Sequence, residues 1–377
     1  MPLIFITDPI PSFNKGEYAL LEGIISSLKK HCNNLQFVKI SHNFQEDNIR
    51  YKNLCKVISK DNWFSILKNY LNCDALIVGH DSSVCYHSIF IGKLLRKPVI
   101  IYAGSLGEYK SKLRKSVLKY LLGKVDLIMF REKISFELAQ KMGISNVPMY
   151  QVADVAFLLE PCSEIEIKKI IEKEIGETTN KLIGVTLTRE MCEYTNCNYG
   201  DNNSNYQKAI KIKAKVLDYL AEKYKAQIIF LPHSIGPEKL DDRKIAEDVI
   251  REMKHQSSAL SINEDYTPSE LKGLISKCWI FIGERTHSVI AALSQGVPSL
   301  CLTHSKDVRT HGIIGEMLEQ KRYVYNVNNL EQNEIILLID ELIEERETIE
   351  NKLRSKMGEI REKALLNGKL FYEHILK

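Results

Sequence analysis

The sequence predicts an α/β protein built from two doubly wound parallel-sheet domains. Three observations lead there. Short apolar runs recur along the chain, each closing on a small or polar loop before a helical stretch. Such a repeat of strand, loop and helix builds parallel sheets through crossover connections. At 377 residues, two domains are a better prior than one.

The elements follow in order. Leu3–Thr7 opens the chain as a strand, and a helix from Glu17 to Lys30 turns Ala19, Leu20, Ile24, Ile25 and Leu28 inward. Further strands are expected at 35–40, 74–78, 98–102 and 126–130. Residues 163–177 are charged and amphipathic, with an isoleucine stripe, and read as a connecting helix. Lys181–Thr188 begins the second half as a strand. A helix over 206–224, a strand over 227–231 and a helix led by Asp241-Asp242 follow, then a helix over 268–276. Residues 330–365 form a long charged helical stretch. The expected division is a first domain over 1–160, a connector over 161–180, a second domain over 181–330 and a C-terminal helical segment over 331–377 that packs back.

Composition narrows the class. Lys and Arg total 52 against 48 Asp and Glu, a net charge of +4. That balance does not point to a nucleic-acid binder, which needs basic residues clustered on one face. No apolar run reaches the length of a membrane span. The first residues lack the basic start and long apolar core of a secretory leader. The nine Cys are scattered, with no Cys-x-x-Cys, which suggests reduced thiols and a cytoplasmic location. No cluster has metal-ligand spacing, and no cofactor is expected.

Residues 279–312 organise the second half. Trp279–Ile282 is a buried strand, Gly283 breaks it, and Val289, Ile290 and Leu293 belong to a helix that Gly296 caps and Pro298 follows. Ser299–Thr303 is the next strand. Glu284, Arg285, Thr286 and His287 therefore lie at a strand's carboxyl end and a helix start, with Ser305, Lys306 and Arg309 just past the second strand. Ligands of open α/β sheets collect at such carboxyl ends, and a helix N-terminus favours an anion. A small, multiply charged anion suits the place.

At these residues the sequence resembles the polysaccharide pyruvyl transferase family. The resemblance rests on Arg285-Thr286-His287, on Gly296-Val297-Pro298 and on Lys306 in their strand–helix–strand setting. It continues in the loop Asn14-Lys15-Gly16-Glu17, in Gly104 within 103–107, in Arg131-Glu132 and in Asp154 with Phe157. It implies a GT-B-like fold with two Rossmann-like domains facing a cleft. It also implies transfer of pyruvate from phosphoenolpyruvate to two hydroxyls of a sugar in a polysaccharide or its lipid-linked precursor, forming a ketal and releasing phosphate.

On that reading His287 is the general acid or base and Arg285 the anion anchor. Arg189, Lys306, Ser305 and His233 complete the donor side. Asn14, Gly16, Glu17 and Gly104 serve the acceptor. Helix-start capping predicts the same residue types at Asn14 and Glu17, so that alternative stays open. Gly79–Ser83 departs from the family by carrying His80 and Asp81 where glycines are usual. The expected partner is a glycan or lipid-linked sugar, with peripheral membrane association through that acceptor. Two other readings remain at this point: a glycosyltransferase using a nucleotide sugar, with Glu284 nearest the position of a ribose-binding acid, and a non-catalytic glycan-binding relative.

Overall fold

The computed structural model describes residues 1–10, 13–78, 86–107, 111–176, 181–195 and 202–377. Gly79–Ser83, with His80 and Asp81, lies outside the described residues. The chain divides into two compact units. The first holds Met1–Ser12, Glu17–Leu158 and Glu359–Lys377; the second holds Phe13–Gly16 and Leu159–Gly358.

The first unit runs β1 (Leu3–Ile10), α1 (Lys15–Lys29), β2 (Gln36–Ser41), α2 (Phe44–Arg50), β3 (Lys56–Ser59), α3 (Trp63–Asn72) and β4 (Ala75–Ile77). It continues with α4 (Tyr86–Leu94), β5 (Val99–Gly104), α5 (Lys112–Leu122), β6 (Leu127–Phe130), α6 (Lys133–Lys141) and β7 (Met149–Gln151). The strands form one parallel sheet in the order β3-β2-β1-β4-β5-β6-β7. Its strands are apolar on both faces, as β4, β5 and β6 show by being buried throughout.

A buried polar network ties the later strand ends together. Arg131 donates from Nη1 to Asp154 at 2.8 Å and from Nε to Ser105 at 2.8 Å, and its backbone N–H donates to Gly104. Glu132 caps α6 by accepting from the Ser135 N–H at 2.6 Å. Burial pushes the Glu132 carboxyl up to about 7. Arg131-Glu132 and Asp154 therefore hold this sheet together. At the end of the chain, Asn367 donates to the Ala153 carbonyl, and Tyr150 meets His374.

The second unit runs α7 (Glu164–Glu174), β8 (Leu182–Thr186), α8 (Arg189–Tyr194), α9 (Asn202–Tyr224), β9 (Gln227–Phe230), α10 (Asp242–Glu252), β10 (Ala259–Ser261) and α11 (Pro268–Ile275). It continues with β11 (Ile280–Gly283), α12 (Thr286–Leu293), β12 (Ser299–Thr303), α13 (Val308–Thr310), β13 (Val324–Asn326), α14 (Gln332–Glu344) and the first half of α15 (Arg346–Phe371), whose residues from Glu359 onward belong to the first unit. The parallel sheet order is β10-β9-β8-β11-β12-β13. Capping boxes at Ser163–Glu166 and Thr267–Glu270 start α7 and α11, whose side chains meet where Ile167 covers Gly273. Gly296 ends α12 with φ +80, a left-handed value that suits glycine. The helical stretch expected over 330–365 is built from two helices, with Glu345 between α14 and α15. No described helix is long and apolar enough to cross a membrane.

Candidate active site

In the second unit the strand order reverses between β8 and β11. β9 and β10 extend the sheet one way, and β12 and β13 the other. Ligands of open α/β sheets collect outside the carboxyl ends of the strands at such a switch point. His233-Ser234 follows β9, Glu284–His287 follows β11, and His304–Thr310 follows β12.

Arg285 is fixed at this point by Asp242, the first residue of α10. Arg285 donates from Nε and Nη2 to the two carboxylate oxygens, each at 2.7 Å. The Asp242 side chain is 3% exposed and that of Arg285 19%. Asp242 also accepts the backbone N–H groups of His233 and Ser234 at 3.0 and 2.8 Å. One carboxylate therefore binds the end of β9 to the start of α12. Arg285 Nη1 makes no hydrogen bond to a described residue, and the partly buried His287 follows two residues on.

The segment Phe13–Gly16 lies along the same edge. Asn14 and Ser234 form an antiparallel bridge, the Lys15 N–H donates to the His233 carbonyl at 2.8 Å, and the Ile235 N–H donates to the Phe13 carbonyl at 3.0 Å. Lys15, 2% exposed, pairs with Asp265 beyond β10. Asn14 spends its carbonyl oxygen on the Gly16 N–H. Gly16 presses against His287: a Cβ there would stand 2.4 Å from its Nδ1 and 2.8 Å from its Cβ. Gly16 is thus required for close approach. Gly16→Ala should displace His287 and lower kcat by about 10²-fold, with a stability loss of about 1–3 kcal/mol. Steady-state rates and urea melts check both, and unchanged kcat would show that His287 keeps its place without the glycine.

His233 is buried at 4% exposure, with Nδ1 3.2 Å from the Leu231 carbonyl and 3.4 Å from Thr186 Oγ1. Burial lowers its pKa to about 3, and the nearby Arg285, Lys15 and His287 act the same way. It stays neutral at working pH, so any contact from it to an anion is a neutral hydrogen bond. Below pH 6.5 the unfolded chain takes up this proton before the folded one does. Stability from this residue is full above pH 6.5 and falls as the pH drops from there towards about 3. One proton's difference gives a slope of about 1.4 kcal/mol per pH unit. Urea melts of wild type and His233→Gln from pH 7 to 4 should therefore converge as the pH falls. A constant difference would contradict the neutral buried state.

The remaining residues singled out in the sequence are distributed more widely. Arg189 lies over the Tyr206 ring at 4.6 Å and lines a cavity of about 460 Å³ with Lys239, Asp241, Lys244 and Asp248; neither Arg285 nor His287 lines it. Ser305 and Lys306 are exposed in the loop after β12. That loop is tied to α12 through Thr286 and Thr310, whose hydroxyls meet at 2.7 Å, and Thr310 donates to Asp307 at 2.6 Å. His304 stacks on Tyr194 at 4.1 Å. Glu17 is buried in the first turn of α1, and Gly104 is buried at the end of β5. Glu284 is buried as well: Lys213 pairs with Oε1 at 2.5 Å and the Thr188 N–H donates to Oε2 at 2.7 Å. Burial pushes its carboxyl upward and Lys213 opposes that.

Asp242, Lys15 and Asp265 were not assigned roles from sequence. An Asp opening α10 just after His233 was a usable signal for the first. Nothing in the local sequence marked the other two.

Comparison with known proteins matches this arrangement to a family. The family model for polysaccharide pyruvyl transferase matches residues 14–306. The amylovoran biosynthesis protein AmsJ of Erwinia amylovora is 23% identical over 264 residues, covering 69% of this chain and 61% of that protein. The match thus spans less than two thirds of that relative's length. Among solved structures, UDP-GlcNAc 2-epimerase of Neisseria meningitidis bound to UDP-GlcNAc is similar over 100% of both chains, with TM-score 0.64 and 14% identity. HepE of Anabaena in complex with UDP-glucose is similar over 99% of both, with TM-score 0.64 and 11% identity. At such identities the likeness shows the fold, two GT-B-like parallel-sheet domains. The family model reaches from the Asn14–Gly16 segment through Arg285 and His287 to Lys306, and on that match the chain belongs to the polysaccharide pyruvyl transferase family.

Proposed function

We propose that the protein moves pyruvate from phosphoenolpyruvate onto two hydroxyls of one sugar in a polysaccharide or its lipid-linked precursor. The observation that carries this reading is the joint position of Arg285 and His287. Both stand at the start of α12, where the strand order reverses, one held by Asp242 and the other against Gly16. The start of α12 has no side-chain cap, so its N–H groups suit an anion.

Arg285 would take the donor's carboxylate or phosphate through Nη1, pre-oriented by its two bonds to Asp242. His287 would exchange protons. Two C–O bonds form at the enol carbon while its bond to phosphate oxygen and the C=C π bond break. Of the two hydroxyl protons, one ends on the terminal carbon and the other on phosphate, so no net proton is consumed. Lys306 and Ser305 would meet the phosphate from the exposed loop. Arg189 belongs to the donor only if the donor extends to the Tyr206 cavity. A cytoplasmic site of action is part of the same proposal. Both Glu284 oxygens are engaged inside the protein, which weighs against the nucleotide-sugar reading.

Purified protein incubated with phosphoenolpyruvate, or separately with a panel of nucleotide sugars, and with glycan acceptors, tests this by mass spectrometry. A mass gain of one pyruvyl ketal together with free phosphate is the expected result. A hexose gain from a nucleotide sugar would overturn it.

A further inference from the structure

We infer that α3, α4 and α5 of the first unit form a docking surface for an anionic lipid bilayer. In a parallel sheet with right-handed crossovers, the connections from β3 to β4, β4 to β5 and β5 to β6 all advance the same way and lie on one face. The contacts agree. Tyr70 of α3 donates to Ser88 of α4 at 2.9 Å, and α4 packs beside α5.

The outer side of this layer is apolar. On α3 it carries Trp63, 71% exposed, with Phe64, Leu67 and Leu71. On α4 it carries Phe90 and Leu94, the latter 70% exposed. On α5 it carries Leu113, 76% exposed, with Val117 and Tyr120. The α5 residues follow helical spacing and oppose the buried Leu118 and Leu122, so the helix has an inner and an outer apolar stripe. Scattered exposed apolar residues mean little, but a contiguous set over three adjacent helices marks an interaction site.

Charge identifies the partner. Lys112, Arg114, Lys115 and Lys119 flank the outer stripe of α5, and Lys124 follows it. Lys68 lies on α3 and Arg96 just past the end of α4; Lys93 is already paired with Asp126 at 2.9 Å, and Lys97 donates to the Cys73 carbonyl. None of residues 63–72, 86–97 and 111–124 is Asp or Glu, in a chain whose acidic and basic totals nearly balance at 48 and 52. Apolar tips ringed by lysine and arginine are the pattern of a surface seated among headgroups. A second copy would set like charges against each other. A nucleic acid would leave Leu94, Leu113 and Val117 without a role.

Flotation of the full chain with vesicles tests the inference, using phosphatidylcholine alone or with about 30% phosphatidylglycerol. We expect binding at least about tenfold stronger to the anionic vesicles, weakened by salt. Leu113→Asp with Val117→Asp should reduce it by about tenfold or more with an unchanged melting midpoint. In a Trp279→Phe background, Trp63 should shift its emission to the blue on binding. The inference is overturned if anionic vesicles bind no better than neutral ones, or if the double substitution leaves binding intact. It is also overturned if the surface proves to join two copies, seen as a concentration-dependent dimer that the double substitution abolishes. The readouts do not use the transferase reaction, so either proposal can fail alone.

Discussion

Asp242→Ala is expected to destabilise the second unit by about 3–5 kcal/mol, the usual cost of stranding one member of a buried ion pair. The substitution leaves the Arg285 guanidinium without its two 2.7 Å acceptors and the His233 and Ser234 N–H groups without theirs. Arg285→Ala should cost less. The carboxylate it strands keeps two backbone donors, and the guanidinium it removes was itself partly exposed. The double variant should be less damaged than the sum of the two, with a coupling of about 1–3 kcal/mol. Urea titration of the four proteins measures this. Additivity within about 0.5 kcal/mol would show that the pair is not coupled.

The same geometry changes how activity data at Arg285 must be read. Loss of function in Arg285→Ala mixes the anion contact with damage to the frame between β9 and α12. Arg285→Lys separates them better. It keeps one charge against Asp242 but loses the planar fork, so it should raise the donor KM while the protein stays folded.

What was legible in the sequence is the architecture and one stretch of it. Trp279–Ile282, the helix after it, Gly296-Val297-Pro298 and Ser299–Thr303 are contiguous, strongly patterned and buried. The local pattern and the fold agree there, and β11, α12 and β12 occur where expected. Strands β3, β7, β10 and β13 were not expected. They are three or four residues long and flank their sheets, too short for periodicity to register. The partners within the site were illegible for a different reason. Asp242 and Arg285 are 43 residues apart, and Lys15 and Asp265 are 250 apart. Residue type and spacing nominate a cation; only the fold says which carboxylate already holds it. Arg189 shows the converse, since its place at a strand end suggested the anion site while its side chain turns to Tyr206.

His287→Ala should lower kcat by about 10²–10⁴-fold, the range for a lost general acid or base, while the melting midpoint stays near that of wild type. The side chain is only partly buried, so its loss removes less packing than deletion of a core residue. Its close neighbour is Gly16, which offers a backbone and no side chain to strand. Substitution at His287 leaves the Asp242–Arg285 ion pair and its two backbone donors in place, so the expected stability cost is smaller than at Asp242. Rates with phosphoenolpyruvate and the best acceptor from the screen, beside a thermal melt, make the comparison. His287→Gln sharpens it, because an amide fills the space and can hydrogen-bond but cannot exchange protons. If His287 acts by proton transfer, the Gln variant should be as slow as the Ala variant. A Gln variant near wild-type rate would reduce His287 to a positioning residue and leave the proton steps without an assigned side chain.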